Sequence, residues 1–176
     1  MRLAVYTLTR DRLSDTKRSF EALRKLAGCE FDHFVLDNGS TDGTREWLQQ
    51  LDRLTWLQLS PNNLGQCIAS NHCLDAIRDH GPYDFICRFD NDVLPQTDNF
   101  LLKLMEAHRA IGRLAAVSPK IEGLLNPPEI FGNYSVGGTD YLFTEILGGA
   151  CRLCPTAALD GFRFSTHGPL ALGEAA

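Results

Sequence analysis

Four times before residue 112, a short run rich in apolar residues gives way to a polar loop and then to a helical pattern. Leu3–Thr9 carries no charge, which suits a strand buried on both faces of a parallel sheet. Phe31–Asp37, Leu54–Leu59 and Phe85–Phe89 read as the second, third and fourth strands. Phe20, Leu23, Leu26 and Ala27 recur at helical spacing after the first, with Ser14 or Asp15 as the expected cap and Gly28 as the stop. Asp42 is the expected cap of a short helix holding Trp47, Leu48 and Leu51. Cys67, Ile68, Leu74 and Ile77 mark a third helix, and residues 98–111 a fourth. This alternation is the signature of βαβ units. It predicts an α/β fold with a mainly parallel, Rossmann-like sheet flanked by helices. Beyond it, Leu114–Val117 is expected as a further strand. Ile130–Val136 and Tyr141–Leu147 are expected as a small antiparallel ribbon toward the C-terminus. Trp47 and Trp56 fall in the periodic patterns and read as core.

A chain of 176 residues suits one domain with a real core. The net charge of -5, without a basic stripe, argues against nucleic acid as a partner. No apolar run is long enough to span a bilayer, and Met1–Tyr6 leads straight into the first strand. The expected setting is the cytoplasm, with peripheral membrane contact left open. Most of the six cysteines lie inside apolar patterns, as free thiols do. Cys151-Arg-Leu-Cys154 is a single CxxC with no second pair, which is weak evidence for a metal.

The chemistry gathers at the strand ends. Phe85–Phe89 runs into Asp90-Asn91-Asp92, and Pro95 stops it. Open α/β sheets bind ligands at the carboxyl ends of their strands. There the first strand offers Thr7, Thr9 and Arg10, and the second offers Asp37, Asn38, Ser40 and Asp42. Two carboxylates one residue apart repel unless a cation sits with them. Mg²⁺ or Mn²⁺ takes oxygen ligands and borrows others from a substrate phosphate. A solvated turn rich in Asp and Asn explains the pair equally well at this level.

Three motifs resemble a known family. Val35-Leu-Asp-Asn-Gly-Ser-Thr-Asp-Gly-Thr44, Asn62-Asn-Leu-Gly65 with Asn71 after it, and Phe89-Asp-Asn-Asp-Val-Leu-Pro95 are similar, in order and spacing, to the nucleotide-sugar domain of family 2 glycosyltransferases, which have the GT-A fold. Leu147–Leu153 through Gly161-Phe162 is similar to the family's acceptor-side segment, where Gly148 and Gly149 leave room for an acceptor or a packed helix. The resemblance implies metal-dependent transfer of a sugar from a nucleotide diphosphate to an acceptor hydroxyl, with inversion. It implies a UDP-sugar as the default donor and a saccharide or other hydroxyl compound as acceptor. It implies nucleotide contacts for Asp37 (as the base-binding carboxylate), Asn63, Gly65, Asn71, Asp90 and Asn91, and the strand-end positions Thr7, Thr9, Arg10 and Asn38 join them as candidates. Asp92 and Asp90 become the metal ligands, with His167 as a further candidate.

The chain departs from the family pattern after Phe162. Arg163 stands where an Asp is expected, and Glu174 is the only later carboxylate. Glu174 is therefore the candidate base. The single domain is expected to divide into a nucleotide-sugar half, 1–118, and a shortened acceptor half, 119–176. A domain that binds the nucleotide-sugar without turnover is the alternative. A sugar nucleotidyltransferase ranks below both, because Thr7–Arg12 lacks the glycines of a phosphate loop.

Overall fold

The computed structural model describes residues 1–112, 114–120, 122, 129–136, 139–144, 147 and 149–165. Strand and helix alternate as the periodicity requires: β1 (Leu3–Thr9), α1 (Leu13–Leu26), β2 (Asp32–Asp37), α2 (Thr44–Leu48), β3 (Trp56–Leu59), α3 (Gln66–His80), β4 (Phe85–Phe89) and α4 (Phe100–Ile111). They are followed by β5 (Gly132–Val136), β6 (Thr139–Phe143), β7 (Cys151–Pro155) and a 3₁₀ turn, Thr156–Leu159. The main sheet runs β3-β2-β1-β4-β7. Its first four strands are parallel, and β7 lies antiparallel to β4. β5 and β6 form the separate antiparallel ribbon.

Strand alternation sorts side chains onto two faces. Leu3 and Val5 of β1 join Phe85, Cys87 and Phe89 of β4 in a core with Leu23 and Ala27 of α1 and Leu101, Leu104 and Met105 of α4. Val35 of β2 packs with Phe20 and Leu48 in a smaller cluster that also takes Trp47. The opposite face carries Ala4, Tyr6, Phe34, Leu36 and Ile86 against Ala69, Cys73, Leu74 and Ile77 of α3. The chain leaves β1 toward β2 on one side and returns through α3 to β4 on the other. The strand order therefore reverses at the β1–β4 boundary, the place where open α/β sheets bind ligands beyond the carboxyl ends of their strands.

Several local expectations are corrected. α1 is capped by neither Ser14 nor Asp15. The Leu13 N–H donates to Asp42 Oδ2 at 2.8 Å, while Asp42 Oδ1 accepts from the Thr44 N–H and hydroxyl at 3.1 and 2.6 Å. One carboxylate thus holds the starts of α1 and α2. Leu114–Val117 forms no strand. Only Val117 bridges to Leu153, through reciprocal bonds of 2.8 Å, before Pro119 removes the next donor on that side. The CxxC lies in β7, so its cysteines face opposite sides of the sheet. Cys151 enters the α1–α4 core, and Cys154 lines a cavity beside Tyr6 and Leu74 on the α3 face. Among the described residues, no helix is long and apolar enough to cross a membrane.

His33 sits on β2, 1% exposed, between Phe20 and Phe31, with Nδ1 unpartnered. Burial pushes its pKa down to about 3, far below the free imidazole. The unfolded chain therefore binds a proton that the folded chain refuses, and stability falls as pH drops below about 6.5. We expect urea denaturation to show this loss between about pH 6.5 and 5 and His33→Gln to flatten it. An equal slope in the variant overturns the assignment.

Candidate functional site

The rim is set by register. Thr9 pairs with Asp37 and Asp37 with Leu59, so β1, β2 and β3 end in one row. Tyr6 pairs with Arg88, which brings the end of β4 up beside the last turn of β1. The loops after β1, β2 and β4 therefore meet along one edge, joined by Asp11 to Ser40 and Arg12 to Asp92.

Asp37 is wholly buried. Its Oδ2 accepts from the Thr9 hydroxyl at 3.1 Å and from the Ser40 hydroxyl, and its Oδ1 accepts from the Ser40 N–H at 3.0 Å. Arg45 Nη1 of α2 stands 3.6 Å from Oδ1 and also donates to the Ser60 carbonyl. This carboxylate, which lacks an evident ion partner in the sequence, has one a single helix away. Its side chain turns into the α1–α2 layer because odd-numbered positions of β2 face that way. The same parity buries Thr7, whose hydroxyl meets His33 Nε2 at 3.1 Å, and Thr9. These three side chains are buried and brace the rim from beneath.

Asn38 and Asn63 are joined, Nδ2 of the first to Oδ1 of the second at 2.8 Å, and Asn38 Oδ1 accepts the Leu64 N–H at 2.7 Å. Gly39 requires its lack of a side chain. At φ +86° an added Cβ lies 2.8 Å from the Asn62 carbonyl carbon. Gly65 closes the second loop at φ 79°, donating its N–H to Asn63 Oδ1 at 3.0 Å. Asn71 is turned elsewhere. Its amide pairs with the Phe164 backbone in both directions, at 3.0 and 2.9 Å. Arg10 is exposed and makes no polar contact among the described residues.

The acidic pair is held differently on its two sides. Asp90 Oδ1 accepts from Arg88 Nε at 2.9 Å, and its N–H donates to the Ala150 carbonyl at 2.8 Å. Burial raises the Asp90 pKa; the Arg88 guanidinium opposes this, and the Asp92 charge adds to it. Asp92 is more open, and its Oδ2 accepts from Arg12 Nη1 at 2.7 Å. Asn91 donates to the Thr16 hydroxyl at 2.8 Å, tying the turn to the first turn of α1. Asp90 Oδ2 and Asp92 Oδ1 carry no hydrogen bond among the described residues. Two hard oxygens, two like charges and a carboxyl disfavoured by burial suit a divalent cation. Among the described residues no group of three or more His, Cys, Asp or Glu is placed to hold a metal ion. Such a cation therefore needs ligands from a bound diphosphate or water.

The acceptor-side segment is stitched to α3. Arg163 reaches Asp75 at 2.6 Å, and Arg78 donates to the Leu159 and Phe162 carbonyls at 3.2 and 2.9 Å. Arg163, out of place in the family pattern, thus has a structural partner. An added Cβ at Gly149 would lie in ordinary van der Waals contact with the Arg88 guanidinium, at 3.8 Å. Gly148, His167 and Glu174 lie outside the described residues.

The sequence matches Glycosyl transferase family 2 over residues 5–137, and the chain belongs to that family. Its fold is that of GT-A glycosyltransferases. The S. aureus TarS 1–349 crystal structure superposes with a TM-score of 0.67 at 17% identity, over 94% of this chain and 50% of that one. TarS 1–349 in complex with UDP-GlcNAc gives 0.66 at 18% identity, over 94% and 49%. The mannosyltransferase PcManGT from Pyrobaculum calidifontis, in complex with GDP-Man and Mn²⁺, gives 0.53 at 21% identity, over 66% and 34%. The chain thus spans about half the length of the TarS fragment it resembles. No curated protein matches the sequence.

The burial of Asp37 makes its role testable. Asp37→Ala strands the Arg45 charge and two hydroxyls, and should cost about 3 kcal/mol or more in urea unfolding. A base-contacting carboxylate on the open rim would instead lose nucleotide affinity with stability intact.

Proposed function

We propose that this domain binds a nucleotide-diphosphate sugar at the β1–β4 boundary with a divalent cation, Mn²⁺ or Mg²⁺, and transfers the sugar with inversion to an acceptor hydroxyl. The observation that carries the reading is the acidic pair. Asp90 and Asp92 meet at the carboxyl rim where the strand order reverses, each with one oxygen free of hydrogen bonds among the described residues. The family membership supports the reaction class, and the nucleotide-sugars bound by TarS and PcManGT support the donor class, with UDP as the default carrier.

Each residue has a task. Asp90 and Asp92 hold the cation. A cation bound there neutralises charge growing on the leaving diphosphate. Asn38, Asn63 and Gly65 shape the wall on which the base and ribose lie, and Arg10, without a polar partner among the described residues, is a cation for a phosphate. Asp37, Thr9 and Thr7 support that wall from behind. Residues 1–118 form the donor half, and 119–176 contribute to the acceptor half. Glu174 is the proposed base that takes the acceptor's proton, with His167 a further ligand on that side. A reading without turnover is favoured by one observation: Arg163 occupies the place of the expected Asp and is bound to Asp75. Product formation from a panel of donor sugars separates the two readings.

A thermal-shift series tests the site. UDP should raise the melting temperature more with Mn²⁺ than without it, by mass action. Asp92→Ala should lose the metal-dependent part, and an unchanged shift counts against Asp92 as a ligand. The metal-dependent part should also fade as pH drops, beginning above the ordinary carboxylate range, because the raised Asp90 carboxyl must give up its proton to bind. Glu174→Gln should lower kcat by about a hundredfold or more with donor binding retained. Full activity in that variant removes it from the mechanism.

A further inference from the structure

The contact between Arg12 and Asp92 joins residues 80 apart, yet their side chains are 63% and 43% exposed. An ion pair that open adds little to stability. The backbone presenting it is nonetheless strained. Asp11 and Arg12 are consecutive non-glycine residues in the left-handed region, at φ 55° and 59°. Such conformations persist only where surrounding structure enforces them. Here the Asp11 N–H donates to Ser40 Oγ at 2.7 Å, and the Thr41 N–H donates to Asp11 Oδ1 at 2.8 Å. Ser40 itself leans on the buried Asp37. The β1–α1 loop is thus braced on the most rigid polar cluster of the rim, and the product of that bracing is a guanidinium held on Asp92.

Of the other nearby cations, Arg10 meets no polar partner among the described residues, and two on α1 are engaged elsewhere. Arg18 pairs with Asp15 at 3.8 Å, and Lys17 lies over the Trp47 ring at 5.8 Å. Both carboxylates of the acidic pair therefore already carry a guanidinium, Arg88 on Asp90 and Arg12 on Asp92. Arg88 is 11% exposed on its strand and fixed there, whereas Arg12 is free to leave. A lone divalent cation must compete with it for Asp92. A diphosphate removes the competition, because a guanidinium fork matches phosphate oxygens as well as carboxylate oxygens.

We propose that Arg12 is a placeholder on Asp92 that moves to the donor's diphosphate when nucleotide and cation arrive, so that the two bind cooperatively. This rests on the metal-diphosphate reading of the site. In the exchange Asp92 gives up a guanidinium and gains the cation, and the guanidinium gains phosphate oxygens. No charge is left without a partner. The coupling is reciprocal: UDP strengthens Mn²⁺ binding by the factor by which Mn²⁺ strengthens UDP binding.

The test needs no turnover. Free Mn²⁺ is followed by electron paramagnetic resonance, with and without UDP, and UDP binding by calorimetry at fixed Mn²⁺. Wild type, Arg12→Ala, Arg12→Lys and Arg18→Ala are compared. Without UDP, Arg12→Ala should bind Mn²⁺ about two- to fivefold more tightly, the worth of an exposed ion pair. With Mn²⁺, it should bind UDP about tenfold more weakly, so the coupling factor shrinks. Arg12→Lys keeps the charge without the fork and should fall between, which secures the result if the alanine variant is unstable. Arg18→Ala should behave as wild type. Unaltered Mn²⁺ affinity without UDP, or unaltered UDP affinity, in folded Arg12 variants overturns the proposal while leaving the donor site intact. Failure of wild type to bind UDP with Mn²⁺ overturns the functional reading and this inference with it.

Discussion

A carboxylate taken out of water needs a positive partner, and at the rim of this sheet three carboxylates, from wholly buried to open, each meet an arginine. Asp37 has Arg45, Asp90 has Arg88 and Asp92 has Arg12. The carboxylates' exposure rises in that order, from 0% through 29% to 43%. The closed pair does not exchange its partner, because removing Arg45 leaves the Asp37 carboxylate fully buried without a cation. It serves architecture. The open pair faces solvent, which is why the proposed exchange is assigned to it.

The Asp37 cluster reaches across the whole edge. Through Ser40 it supports the β1–α1 loop, through Thr9 the end of β1, and through Arg45 the end of β3 at Ser60. Asn38 and Asn63 then lock the two loops that frame α3. From α3 itself, Asn71, Asp75 and Arg78 hold residues 159–164. The loop before α3 and residues 159–164 are thus tied to one helix.

Much of the architecture was legible because strand and helix periods are local. The alternation through α4 and the later ribbon follow from side-chain spacing, and Gly28 ends α1 at φ 77° as a glycine stop should. β7 was not read as a strand. Cys151–Pro155 is short, and its pairing partner, β4, lies more than 60 residues earlier. The same strand geometry separates the two cysteines of the CxxC, which sequence spacing alone cannot express. The candidate site was legible in outline: the motif residues do collect at one edge. Their orientations were not. Thr7, Thr9 and Asp37 turn inward by strand parity, Asn71 turns to Phe164, and Asn91 turns to α1.

The sequence by itself determined the order of the first four strands and helices, and so which polar residues follow those strands at the carboxyl rim, since apolar periodicity is written in neighbouring residues. It also carried the motif order that places the chain in its family. Only the tertiary structure decided which arginine meets which carboxylate. Arg12 and Asp92 are 80 residues apart, and nothing local to either one specifies the other. That choice is made by sheet order, which puts β1 between β2 and β4 and so brings one loop within reach of both the buried acid and the exposed one.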